Sequence, residues 1–193
     1  ELCDGLLEYC DPRNININLP SLRADGFSMS IMQRLQRVRK TSITFAPEAG
    51  TQRMRDTINK NVKEEDLLQS CRTAFEGGCN AVKLYFMLGL PTETDEDVIG
   101  IAQLAEKVYW TWKSYAVNKS RGLRITVSTS FFVPKPFTPF QWEAQITREE
   151  YHRRVDLLRN SIKNKPIQYN WHEMETSYIE AVLARGDRRL GKL

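Results

Sequence analysis

Val82-Lys83-Leu84-Tyr85-Phe86-Met87-Leu88-Gly89-Leu90-Pro91-Thr92-Glu93-Thr94-Asp95-Glu96-Asp97 is the run from which the architecture can be read. Val82, Leu84, Phe86 and Leu88 share one parity, and Lys83, Tyr85 and Met87 share the other. A period of two is the mark of a strand. Gly89 breaks that period, and Thr94-x-x-Asp97 reads as a capping box. In such a box a hydroxyl and a carboxylate three residues apart satisfy orphan amides at a helix start. Ile99, Leu104, Val108 and Tyr109 then recur at helical spacing. The run is therefore one βα unit.

The same switch of period recurs along the chain. Ile15, Ile17 and Leu19 alternate with Asn16, Asn18 and Pro20, which predicts a strand at 15–19. A helix with Ile31, Met32, Leu35 and Val38 on one face follows, its other face carrying Arg34, Arg37, Arg39 and Lys40. That basic face reads either as a solvated surface or as a phosphate-binding one. Ser42 to Glu48 predicts a second strand, and Thr51 starts a short helix with Met54 and Ile58. Asn61-Val62-Lys63-Glu64 reads as a capping box for a helix with Leu67, Leu68, Cys71 and Phe75, stopped at Gly77-Gly78. Leu123, Ile125 and Val127 predict a last strand, continuing toward Val133.

Connections of about 20 residues between strands are too long for hairpins, so the sheet is expected to be parallel. Each strand is apolar on one parity and polar on the other. Central strands of a doubly wound sheet are apolar on both faces. The pattern instead predicts a partial TIM-like (βα) barrel. Helices would lie outside, and Asn16, Asn18, Thr44, Glu48, Lys83, Tyr85, Thr126 and Ser128 would line the inner face. A flat sheet with one solvated face is the alternative.

Residues 1–140 are thus expected to form the α/β part and 141–193 a helical C-terminal extension. Thr147-Arg148-Glu149-Glu150 would cap a helix carrying Tyr151, Val155, Leu158 and Ile162. A final helix with Ile179, Val182 and Leu183 would stop at Gly186, leaving Arg188, Arg189 and Lys192 as a basic end. His152 and His172 have no companion at metal-ligand spacing.

The composition suits a globular chain. It has 193 residues, 41% hydrophobic and 27% charged, with a net charge of +4. That excess is too mild to argue for a nucleic-acid groove. No apolar run is long enough to span a bilayer, and Glu1-Leu2-Cys3-Asp4 does not read as a signal peptide. Cys3, Cys10, Cys71 and Cys79 are widely spaced, which argues against a secreted disulfide scaffold and for the cytoplasm. They also lack the spacing of a zinc or iron–sulfur site, so they read as buried thiols and no metal ligand is expected. The chain begins without Met inside a helical pattern, which predicts a piece of a longer protein.

In parallel βα folds the ligand site lies at the carboxyl ends of the strands. Here those ends are Pro47-Glu48-Ala49-Gly50-Thr51, Gly89 to Thr94, and Phe132-Val133-Pro134-Lys135-Pro136. Two helix N-termini beside small residues, with Glu48 and Glu93 at the same rim, point to a polar small-molecule ligand.

The stretch from Ile15 to Pro139 resembles the second half of a radical S-adenosylmethionine (SAM) core. The resemblance rests on Ala46 to Thr51 followed by Arg53 to Lys60, on Tyr85 to Thr94, and on Phe131 to Trp142. It is nearest to iron–sulfur oxidoreductases with an upstream cobalamin-binding-type domain, and similar at greater distance to methylthiotransferases and coproporphyrinogen dehydrogenases. The resemblance implies that the expected strands are the third to sixth of a six-stranded core. By position, Glu48 matches the residue that receives the SAM ribose. Lys60 stands where relatives often carry an Arg near the SAM carboxylate, with Arg53 and Arg55 as alternatives for that anion. Gly89 and Pro91 match the turn that SAM approaches, Glu93 matches the residue bracing it, and Phe132, Val133 and Pro134 match the backbone that packs on adenine. Tyr85 replaces the first Gly of the longer pattern.

Two family features do not occur in this sequence: the Cys-x3-Cys-x2-Cys loop that binds [4Fe–4S], and the Gly-Gly-Glu that holds the SAM amino group. The resemblance therefore implies the SAM- and substrate-side part of an enzyme. Its parent would carry the cluster, with cobalamin as a further possible cofactor, and would cleave SAM reductively to a 5′-deoxyadenosyl radical. The isolated piece would be inactive, with no catalytic residue assigned in it. Its expected partners are an unidentified substrate, the N-terminal half of its own core, and a second copy through an exposed sheet edge. A non-catalytic small-molecule-binding module and an RNA-modifying methylthiotransferase-like module are the alternatives.

Overall fold

The computed structural model describes residues 2–15, 42–120 and 122–192. The strand expected at 15–19, past Ile15, and the basic helix expected before residue 41 lie outside them. Helix α1 (Leu2–Cys10) opens the chain. Then follow β1 (Ile43–Glu48), α2 (Gln52–Thr57), α3 (Glu64–Glu76), β2 (Ala81–Leu88), α4 (Asp95–Tyr115) and β3 (Arg124–Phe131). Helix α5 (Arg148–Ser161), strand β4 (Ile167–Trp171) and helix α6 (Met174–Arg185) follow, and short 3-10 helices lie at Asp11–Arg13 and Arg188–Lys192.

The four strands form one all-parallel sheet in the order β1-β2-β3-β4. Each strand lies beside its predecessor, as in a barrel wall, with no reversal of order like that of a doubly wound sheet. Thr44, Lys83, Thr126 and Gln168 stand in register across the sheet, as do Tyr85, Ser128 and Asn170. These residues occupy the more open face, as the alternation predicted. On the other face Phe45, Leu84, Phe86, Ile125 and Val127 are buried under α3, α4 and α5. Val98, Ile101 and Val108 of α4 and Tyr151, Val155 and Leu158 of α5 complete that core. Each such side chain contributes about 1.5–3 kcal/mol on leaving water.

The sequence expectations need correcting in two places. The segment after residue 140 is helical at α5 and α6, but between them β4 pairs with β3 and extends the sheet. Ile167-Gln168-Tyr169-Asn170-Trp171 does alternate, yet only Ile167 of the five is buried. So short a stretch behind Pro166 carries too weak a pattern to register as a strand. Helix α3 is also not capped by Asn61. Its N-cap is Lys63, with no side-chain cap bond. Asn59 and Asn61 instead take left-handed conformations, with φ of 52° at each. Asn tolerates that region better than most side chains, which ends α2 and redirects the chain. The Glu64 amide is satisfied from α2, donating 3.3 Å to Gln52 Oε1.

Other starts agree with expectation. The Thr51 hydroxyl accepts from Met54 N at 3.3 Å. The Thr147 hydroxyl accepts from Glu150 N at 3.2 Å. Thr94 donates its amide to Asp97 Oδ2 at 2.9 Å. Cys10, Cys71 and Cys79 are buried thiols, and burial pushes Cys71 far above its ordinary pKa. Among the described residues no helix is long and apolar enough to cross a membrane.

Candidate functional site at the strand ends

Because all four strands are parallel, Glu48, Leu88, Phe131 and Trp171 end on one rim. A cavity of about 470 Å³ opens there, within the range of small-molecule sites. Its wall includes Glu48 at the end of β1, Lys60 after α2, Met87 and Leu90 around the end of β2, and Phe132 and Val133 after β3. Beneath them Ala49, Met54, Leu90 and Phe132 form a small buried cluster, against which Ile58, Met87 and Phe140 pack. Phe140 meets Phe132 edge-on, ring centroids 6.1 Å apart. The floor is thus apolar and aromatic, and one edge is charged.

Glu48 reaches the cavity through a bulge. Phe45 pairs with Leu84 but Glu48 pairs with Phe86, so β1 spends one extra residue here. Glu48 itself sits at φ 68°, a region that costs a non-glycine residue energy and clusters at functional positions. Lys60 Nζ donates to Glu48 Oε1 at 2.9 Å. No hydrogen bond within the described residues engages Oε2.

The turn behind Glu48 is clamped from inside. Arg55 is fully buried and gives its guanidinium to the carbonyls of Ala49 at 3.0 Å and Gly50 at 3.3 Å. Burial lowers its pKa, and its Nε has no partner. Its Nη2 donates to Gln52 Oε1 at 3.2 Å, and Arg55 does not line the cavity. Arg53 lies outside the cavity wall too, donating to Thr92 O at 2.9 Å and to the Asp97 carboxylate.

Asp97 ties the turn after β1 to the turn after β2. Its carboxylate accepts from Thr51 of the first turn and from Arg53 and Thr94. Burial alone would raise Asp97, but those hydrogen bonds outweigh it and bring the group down to about 2. Gly50 and Gly100 add direct backbone contact, since a Cβ on Gly50 would lie 2.3 Å from Ile101 N.

The second turn is braced by Glu93. Gly89, at φ 84°, donates its amide to Glu93 Oε2 at 2.8 Å. Glu93 is buried and ion-paired with Arg154 of α5, so it is not open to a ligand. Gly89 and Pro91 flank Leu90 without lining the cavity, and Pro134 is buried beside Val133.

Of the residues singled out in the sequence, Glu48, Lys60, Phe132 and Val133 share one cavity. Sequence reasoning missed the wall opposite them. There His172, Thr176, Ser177 and Glu180 come from the end of β4 and from α6, and Lys135 pairs with Glu180 at 2.8 Å. Thr176 and Glu180, polar residues one helical turn apart on α6, were the available signal.

The sequence matches the radical SAM superfamily over residues 6–105. The chain belongs to the radical SAM superfamily. An uncharacterized protein of Methanocaldococcus jannaschii is 31% identical over 192 residues, 100% of this chain and 39% of that protein. The chain thus spans 39% of that relative's length. Radical SAM proteins are enzymes in general, and membership implies SAM and a [4Fe–4S] cluster for the whole protein. The described part of this radical SAM chain holds no group of three or more His, Cys, Asp or Glu able to bind a metal ion, so its residues do not fit the cluster. They do fit SAM: an apolar, aromatic floor suits a purine, and the Glu48 carboxylate suits hydroxyls.

Proposed function

We propose that this chain is the SAM- and substrate-side portion of a radical SAM enzyme. The cavity shared by Glu48, Lys60, Leu90, Phe132 and Val133 carries the reading. In the whole protein the bound cofactors would supply reductive cleavage of SAM to methionine and a 5′-deoxyadenosyl radical. This chain's own residues bind and orient. Glu48 Oε2 accepts the ribose hydroxyls, and Lys60 compensates the carboxylate that does so. Phe132 and Val133 present backbone and apolar surface to adenine, and Leu90 carries the Gly89–Pro91 turn against it. Lys60 offers a point charge where relatives have a guanidinium, so it can serve Glu48 or the SAM carboxylate but not both with a bidentate grip.

The cluster ligands belong to the rest of the protein, whose N-terminal half is the proposed partner of this sheet. A cobalamin-binding-type domain upstream and association of copies through a sheet edge are further parts of this proposal.

The test is the full-length protein, reconstituted anaerobically with iron and sulfide. Reductive release of 5′-deoxyadenosine from SAM is expected. A formed cluster without that product, or a full-length sequence without Cys-x3-Cys-x2-Cys, would overturn the reading.

A further inference from the structure

We propose that Arg154 is a positioning residue for the turn at 89–93, acting from α5 through Glu93 on the Gly89 amide. This rests on the reading of that turn as part of the SAM site.

Glu93 Oε2 accepts two hydrogen bonds, from Gly89 N at 2.8 Å and from Arg154 Nη1. Arg154 Nη2 also reaches the Glu93 carbonyl at 3.3 Å. The guanidinium thus grips both ends of one residue, a fork that Lys cannot copy. Its Nε is held by Glu150 Oε1 at 2.8 Å, one helical turn earlier. Arg153 extends the same strut, joining Glu150 to Asp95 at the start of α4. The pair itself is shielded, with side-chain exposure of 11% for Arg154 and 2% for Glu93. Ile146, just before α5, packs under Gly89, where an added Cβ would lie 2.9 Å from its Cδ1. The helix after the core therefore supports this turn by packing and by charge.

A carboxylate this buried is costly unless its charge is matched. Burial pushes Glu93 up to about 7, against the pull of the Gly89 amide and of Arg154. Asp97 on α4 pushes the same way as burial. Arg154 from α5 and Asp97 from α4 are the charged groups that act on Glu93, and Arg154 is the cation of the two. Without Arg154, Glu93 either takes up a proton and binds the Gly89 amide less well, or stays ionised and unmatched. Both loosen the turn, and the second dominates as pH rises.

The experiment uses the full-length reconstituted protein with Arg154→Gln, Arg154→Lys, Glu93→Gln and the double variant Arg154→Gln/Glu93→Gln. Amide hydrogen exchange over residues 87–94 is compared with wild type at about pH 6 and about pH 8, and SAM affinity is measured alongside. In Arg154→Gln, exchange at this turn is expected to rise and SAM affinity to fall, each about 10-fold at the higher pH and about 3-fold or less at the lower. Arg154→Lys restores part of both, and the double variant loses the pH dependence. A loss equal at both pH values, or no change at the turn, overturns the proposal. Should Arg154→Gln not fold, Arg154→Lys against wild type reads the same pH trend at smaller amplitude. Wild type that binds no SAM, with exchange still responding to Arg154, overturns the SAM reading and leaves the strut in place.

Discussion

Lys60 Nζ lies 2.9 Å from Glu48 Oε1, twelve residues apart in sequence and joined across the mouth of one cavity. Both side chains remain partly open, at 31% and 25% exposure. A pair this exposed contributes at most about 1 kcal/mol to folding. Glu48→Gln is therefore expected to leave the melting temperature within a few degrees of wild type while weakening SAM binding about 10-fold. Equilibrium dialysis and thermal unfolding of the full-length protein separate the two effects. A large drop in stability with unchanged affinity would make the pair structural.

Asp97 gives a pH signature with a definite sign. Its folded pKa of about 2 lies below the ordinary 3.8. A carboxylate lowered in the fold adds stability above its unfolded value and loses it as pH falls through its folded value. Asp97→Asn keeps one acceptor but loses the charge that Arg53 and the Thr94 amide bind. The variant is expected to be less stable by about 2 kcal/mol near neutral pH, with the gap to wild type closing between pH 3.8 and about 2. Urea unfolding across that window checks it.

Much of the frame was legible because it is written in near-neighbour patterns. The alternation around Phe45, Leu84 and Ile125 gave strands and their buried faces, and Thr51, Thr94 and Thr147 marked helix starts. Glu48, Phe132 and Val133 stood out because strand ends are where a parallel sheet puts ligands, and Lys60 stood out only through the family resemblance. The rest depends on pairs that one sequence does not display. Arg154 reads locally as an i,i+4 partner of Glu150, although its bond to Glu93 spans 61 residues. Asp97 reads as half of a cap, although it also takes Thr51 and Arg53, 46 and 44 residues away. Strand β4 earns its place from its register with β3 more than from its own composition. The opposite cavity wall follows from β4, so missing the strand hid the wall.

Buried cysteines give a chemical check on the packing, Cys71 and Cys79 within the sheet core and Cys10 on α1 outside it. Cys10, Cys71 and Cys79 are all buried, and burial raises Cys71 far above the range where a thiolate forms at neutral pH. Applied to the full-length protein with Cys3 replaced by Ser, a thiol reagent followed by peptide mapping is expected to leave these three unmodified until the protein unfolds. Rapid native modification of Cys71 would show that the α3–sheet packing opens.

The tightest contact in the rim predicts the largest loss of stability. Gly50 lies against the backbone of α4, where a Cβ would stand 2.3 Å from Ile101 N, 2.5 Å from Asp97 O and 2.6 Å from Gly100 C. Backbone atoms of a packed helix cannot swing aside as a side-chain tip can. Gly50→Ala must therefore push α2 and the Glu48 turn away from α4, stretching the Thr51–Asp97 link. A cost of about 3 kcal/mol or more is expected, a fall of roughly 10 °C in melting temperature for a chain of this size. Gly5→Ala in α1 is the control, because nothing lies within 4 Å of the Cβ it would add. There the better helix propensity of Ala favours the helix by about 1 kcal/mol. If Gly50→Ala melts like Gly5→Ala, the β1–α2 turn is not seated on α4, and Glu48 loses the support that sets it in the cavity.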